Sequence, residues 1–178
     1  MATTELSWLY ETSPNDRARY VLGVPGSRPL VCFGINPSTA RPGHIDGTVR
    51  CVERAAERLG YDGWVMLNVY PQRATNPNDL HKRLNRTYHQ DNLQQIESIL
   101  SQPSVTLWAA WGTLIEKRKY LLPCLQDIYQ LTQRTVSDWV SIGAVTKQGH
   151  PHHPLYLPNS ATPEPFDMER YLVLGREL

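Results

Sequence analysis

Short apolar runs alternate with longer segments of helical spacing along this chain. Leu30–Ile35 is the first run; it follows the turn signals Pro25, Gly26, Ser27 and Pro29 and stops at Asn36-Pro37, where a proline cannot extend a ladder. Gly63–Tyr70, Val105–Trp111 and Val140–Val145 repeat the pattern. Each is continuously apolar instead of alternating, the mark of a strand buried on both faces. After Asp46, the residues Val49, Val52, Ala55, Ala56 and Leu59 recur at helical intervals, with Asp46 as the expected cap and Gly60 as the terminator. A polar helix is expected from roughly Tyr88 to Leu100, and another from about Leu114 to Tyr129 with a kink at Pro123. The mixed amino-terminal stretch up to Arg28 is expected to be a lid or flanking element.

Strands joined by helical crossovers predict an α/β fold whose mostly parallel sheet is covered on both faces. No repeat, low-complexity tract or linker divides residues 1–178, so one domain is expected. In such sheets ligands bind beyond the carboxyl ends of the strands. The unusual loops of this chain begin at Asn36, Asn68, Trp111 and Thr146, directly after those runs.

Composition changes this picture little. The chain is 40% hydrophobic and 20% charged, ordinary for a globular protein. No apolar run approaches the roughly 18 residues that span a bilayer, and no basic-then-apolar leader opens the sequence. A cytoplasmic protein without membrane contact is the expectation. Cys32, Cys51 and Cys124 are widely spaced and odd in number, which suits reduced thiols better than disulfides or a metal cluster. The formal net charge of +1 does not by itself advertise a nucleic-acid partner, although a local basic face would suffice.

Three loops carry the candidate chemistry. Gly34-Ile35-Asn36-Pro37-Ser38-Thr39-Ala40 offers an amide and two hydroxyls that can hold a water or an anion, or else form a plain turn. Leu67-Asn68-Val69-Tyr70-Pro71-Gln72-Arg73 places an amide inside an apolar strand, where it reads the edge of a base or caps backbone. Its Arg73 can grip a phosphate or an internal carboxylate. Gly149-His150-Pro151-His152-His153-Pro154-Leu155-Tyr156 gathers three histidines. No Cys or Glu stands at matching spacing and two prolines stiffen the loop, so delivery of one imidazole to a site is favoured over metal binding. Asp46, Thr48 and Arg50 either reach the site from the first helix or only cap it.

Taken in order, Gly34-Ile35-Asn36-Pro37, Met66-Leu67-Asn68-Val69, Trp111-Gly112 and His153-Pro154-Leu155 resemble the site motifs of the uracil-DNA glycosylase superfamily. The chain also resembles, more closely, a bacterial and phage family known only as a domain of unknown function. The residues carrying that likeness are Asn36–Ala40, Asp46 with Thr48, Arg73–Pro77, Trp111-Gly112 and His153–Tyr156. The glycosylase resemblance implies a three-layer α/β/α fold around a central, mostly parallel four-stranded sheet. It implies hydrolysis of the N-glycosidic bond of a flipped pyrimidine in DNA, in repair or phage defence. Asn36 would hold the water and His153, or His150 in its place, would donate to the leaving base. Asn68 would read the base, and Ser38, Thr39 and Arg73 would contact phosphate or sugar; Asp46 and Tyr156 join them as substrate-binding candidates. No metal or cofactor is needed, and the protein is expected to act as a monomer. A non-catalytic nucleotide- or DNA-binding module and a hydrolase of free nucleosides or nucleotides are the alternatives.

Overall fold

The computed structural model describes residues 6–102, 105–135 and 137–175. Strand β1 spans Leu9–Thr12, β2 Arg19–Val24, β3 Pro29–Gly34, β4 Gly63–Asn68, β5 Val105–Ala109, β6 Ser137–Ile142 and β7 Pro163–Pro165. Helices α1 (Gly47–Arg58), α2 (Arg86–Leu100), α3 (Leu121–Thr132) and α4 (Met168–Gly175) complete the fold. The strands form one sheet in the order β1-β2-β4-β3-β5-β6-β7. Its centre, β4-β3-β5-β6, is parallel throughout. The flanking pairs β1–β2, β2–β4 and β6–β7 are antiparallel.

The four parallel strands lie where continuous burial predicts them, with β6 beginning and ending three residues before the expected run. The sheet is nevertheless larger than four strands. The amino-terminal stretch is not a lid: Arg19–Val24 is a strand whose first five residues are buried, paired to β4. An arginine and a glycine interrupt its apolar pattern, which hid it. Gly23 is required there, since a Cβ would come within 2.4 Å of the Trp64 carbonyl oxygen. Residues 1–5 of that stretch lie outside the described residues.

Helices cover both faces. On one, Val49, Val52, Ala55 and Ala56 of α1 pack against Cys32, Trp64, Met66 and Trp108. On the other, α2, α3 and α4 contribute Ile96, Leu125, Ile128 and Leu172 over Val31, Phe33, Val65 and Leu107. Alternate residues of the same strands therefore serve opposite cores, which is why these runs are apolar at every position. Asp46 caps α1 and Gly60, at φ +79°, follows its end as expected. Helix α3 starts later than expected, after a 3-10 turn at Gly112–Glu116. Pro123 thus falls in its first turn, where a missing N–H breaks no helical bond and no kink is needed.

One edge of the sheet is the short β7, Pro-Glu-Pro. Thr162 O accepts from Gly143 N–H at 2.9 Å and Phe166 N–H donates to Trp139 O at 3.0 Å. Residues 162 and 166 thereby face β6, and by alternation Pro163 and Pro165 face outward.

Candidate active site

The strand order reverses between β3 and β5: the chain leaves β3 toward α1 on one face and leaves β5 toward α3 on the other. The crevice so opened is where ligands bind in such sheets. Backbone pairing continues past the strands here. Val69 N–H donates to Gly34 O (2.8 Å), Tyr70 N–H to Ile35 O (2.8 Å) and Ala74 N–H to Pro37 O (2.9 Å), zipping the first two loops together.

Side chains tighten that zip. Asn36 Nδ2 donates to Ala74 O at 2.8 Å, Pro37 O at 3.0 Å and Gln72 O at 3.4 Å. Three carbonyls around one nitrogen fix the amide's orientation, leaving Oδ1 free on the crevice side that Asn36 lines. The Ser38 and Thr75 hydroxyls share a hydrogen bond of 2.7 Å. Arg73 is the tie-rod: Nη1 reaches Ser38 O (2.8 Å) and Ala40 O (3.1 Å), Nη2 reaches the Tyr10 hydroxyl (2.8 Å), and Nε and Nη2 both reach Asp16 Oδ1. Of the two expectations for Arg73, the internal carboxylate is the one seen, and every nitrogen of the guanidinium is engaged within the fold.

Beneath these loops lies a recess of about 60 Å³, lined by Arg19, Asn36, Ser38, Asp46, Thr48 and His153 among others. It shares Asn36, Ser38, Asp46, Thr48 and His153 with an outer cleft of about 600 Å³ that extends to Trp111, His152 and Tyr156. Asp46 fills both roles open to it. Its Oδ1 accepts from Val49 N–H at 3.0 Å as the α1 cap, while its second oxygen has no protein donor. His153 Nδ1 accepts from Leu155 N–H at 3.3 Å. That assigns the ring proton of the neutral imidazole to Nε2. Burial lowers the His153 pKa from its ordinary value, with Asp46 pulling the other way. Gly112 adopts the left-handed backbone at φ +61°, which favours glycine and explains the Trp-Gly sequence after β5; a Cβ there would lie in ordinary contact with His153 Cβ at 3.5 Å. Tyr156, 78% exposed, forms the outer rim with its ring 5.7 Å from that of His153.

Several sequence expectations change here. His150 is not at the site. It is buried on the far side of its loop, its Nδ1 2.8 Å from the Tyr171 hydroxyl and its Nε2 2.9 Å from Glu116 Oε1. Pro151 and His152 intervene, and the loop turns it away from His153. Thr39 is exposed and does not line the recess or the cleft. Asn68 is fully buried one layer below the recess: its Oδ1 would meet a Cβ on Gly34 at 3.2 Å, and neither amide atom has a partner. Arg19 is the residue that the pattern missed. Only 1% exposed, it lines the recess; the one available signal was a cation directly before the apolar Tyr20-Val21-Leu22. Among the described residues, no cluster of three or more His, Cys, Asp or Glu side chains could hold a metal ion. No helix among them is long and apolar enough to cross a membrane.

A family model described as protein of unknown function (DUF1643) matches residues 19–155, a stretch running from Arg19 through the His153 loop. No curated protein and no solved structure matches the chain significantly.

Proposed function

We propose that this chain, which belongs to the DUF1643 family, hydrolyses the N-glycosidic bond of a pyrimidine flipped out of DNA. The convergence of Asn36, Asp46 and His153 on one recess at the carboxyl end of β3 carries this reading. The parallel four-stranded centre, with the motif residues at its strand ends, supports the likeness to uracil-DNA glycosylases.

Extrusion of the base costs a few kcal/mol, after which the glycosidic carbon is reachable. The C1′–N bond then breaks with its electron pair staying on the base, and a water oxygen bonds to C1′. The free Oδ1 of Asn36 orients that water, and Asp46 takes its proton and faces the sugar as it becomes cationic. The His153 Nε2–H donates a hydrogen bond to the departing base without needing to lose its proton. The base is protonated afterwards by solvent, and Asp46 returns its proton. Tyr156 at the rim offers a face on which the extruded nucleotide stacks. A bulky modified pyrimidine of phage DNA is the substrate to try first, given an outer cleft of about 600 Å³. Roles in repair or phage defence, as a cytoplasmic monomer, follow from this reading.

One observation favours a second reading, hydrolysis of free nucleosides or nucleotides. Arg73 is wholly engaged by protein acceptors and gives no grip on a DNA backbone. Labelled oligonucleotides carrying uracil, mismatched thymine, or hydroxymethylated and glucosylated cytosine test the first reading. Alkali converts any abasic site into a strand break. Breaks that vanish with Asp46→Asn and His153→Gln support the glycosylase. Intact strands together with release of base from free nucleosides support the alternative.

A further inference from the structure

Arg19 stands at the start of β2, beneath the loop that follows β3, and is buried. Its Nη1 donates to Ala40 O at 3.1 Å; its Nε is sealed from solvent without a partner. Nη2 is neither bonded nor sealed, and the side chain lines the recess. The charged groups around it are Arg73, Asp46 and Asp16, with Tyr10 beside them. Asp16 is already bound to Arg73 at 3.0 Å, so only Asp46 is left as a counter-charge. Burial, with Arg73 adding to it, lowers the guanidinium pKa to about 10. A buried cation this poorly compensated is costly to keep. The contrast with Arg73, every nitrogen of which has an acceptor, shows that this loop region is able to satisfy an arginine when structure is the purpose.

The recess that Arg19 lines is where a ligand can supply the missing acceptor. About 60 Å³ admits the carbonyl edge of a ring, not a whole nucleotide. A permanent anion such as phosphate would also face the Asp46 carboxylate in the same recess, which repels it. A group that arrives neutral and becomes negative only as its bond breaks fits both charges at once. Asp46 then faces the sugar as it turns cationic, and Arg19 faces the base as it turns anionic.

We infer that Arg19 is a catalytic residue that holds the 2-carbonyl oxygen of a departing pyrimidine, where the electron pair of the broken C1′–N bond is delocalised. This rests on the hydrolase reading above and narrows its substrate to bases with a carbonyl beside the glycosidic nitrogen. Purines lack one there. No oxidant or reductant enters; the electron pair stays on the base until solvent protonates it.

Free bases test the role without turnover. The purified protein is titrated at neutral pH with 5-nitrouracil, whose nitro group makes it largely anionic, with neutral uracil, and with inorganic phosphate. Wild type is expected to bind the anionic base roughly 10- to 100-fold more tightly than uracil, the worth of one or two charge-assisted hydrogen bonds. Arg19→Met is expected to abolish that preference while melting at or above the wild-type temperature, since an apolar side chain of similar size removes a poorly paired buried charge. Arg19→Lys is expected to retain part of it. An unchanged preference in Arg19→Met overturns the inference, as does tighter binding of phosphate than of nitrouracil. Collapse of folding in both variants also overturns it, because Arg19 is then structural. If abasic sites form in DNA but no free base is bound, the inference fails and the hydrolase reading stands. If neither an oligonucleotide nor a free nucleoside loses its base, both fall together, whatever Arg19 binds.

Discussion

His150 and His153 lie three residues apart on one loop and live in opposite circumstances. His150 is sealed, and both ring nitrogens are engaged: Trp111 Nε1–H donates to the Tyr171 hydroxyl, that hydroxyl sits 2.8 Å from Nδ1, and Glu116 closes the chain at Nε2. His153 spends only Nδ1, on its own turn, and leaves Nε2 to the crevice. The same contrast separates Arg73 from Arg19. In each pair one side chain has its hydrogen-bonding capacity used up by the fold, and the other keeps capacity in reserve beside a cavity. Buried polar groups are normally satisfied, so the reserve, not the residue type, marks the site.

The largest expected effect tests the reserve directly. Asp46→Asn should lower the rate of abasic-site formation by roughly 100- to 10,000-fold, the usual worth of a positioned proton acceptor. The fold should persist, because Asn caps a helix about as well as Asp, with a loss of stability confined to the counter-charge taken from buried Arg19. A variant that is slow only because it is unfolded would break the comparison. Arg73→Met should instead act on the fold, costing about 2–4 kcal/mol by denaturant titration, since it strips a buried network and leaves carbonyls unpaired. His150→Ala should cost about 1–3 kcal/mol for the groups it orphans, with the rate per folded molecule unchanged. A rate loss there would move the functional boundary across the loop. Asn68→Leu, of similar shape, should be neutral or raise stability by up to about 1 kcal/mol, because neither atom of that amide has a partner to lose. The smallest effect is the pH dependence. The folded-state pKa of His153 lies below its ordinary 6.5, so below that pH the unfolded chain binds more protons and the fold loses stability. Melting temperature should therefore drop on acidification from about pH 7.5 to 5.5. His153→Gln should shrink the drop, and His81, whose pKa burial also lowers, should preserve a remainder.

The sequence reading reached the parallel centre because Leu30–Ile35 and its three counterparts are buried on both faces, a condition written residue by residue. It missed β2, an interior strand between β1 and β4, because Arg19 and Gly23 break its apolar stretch. Strand β7 was equally silent, since two prolines in three residues argue against a strand unless it lies at an edge. At the site, the loops themselves were legible from amides and prolines after strands. Which member of each pair faces the crevice was not. That choice between His150 and His153 depends on Tyr171 and Glu116, residues 21 and 34 positions away from His150. Arg73 is likewise decided by Asp16 and Tyr10, 57 and 63 positions off. Pairing at such separations leaves no local periodicity to read.

The outward positions of β7 have a consequence for how this protein meets copies of itself. A free sheet edge recruits another strand by presenting alternate N–H and C=O groups to it. At this edge the positions that would offer N–H are Pro163 and Pro165, which have none. An incoming strand finds acceptors without donors, so every second rung of a new ladder is missing. The sheet therefore ends at β7 by chemistry as well as by length. At high concentration, aggregation by strand addition has no template on that side.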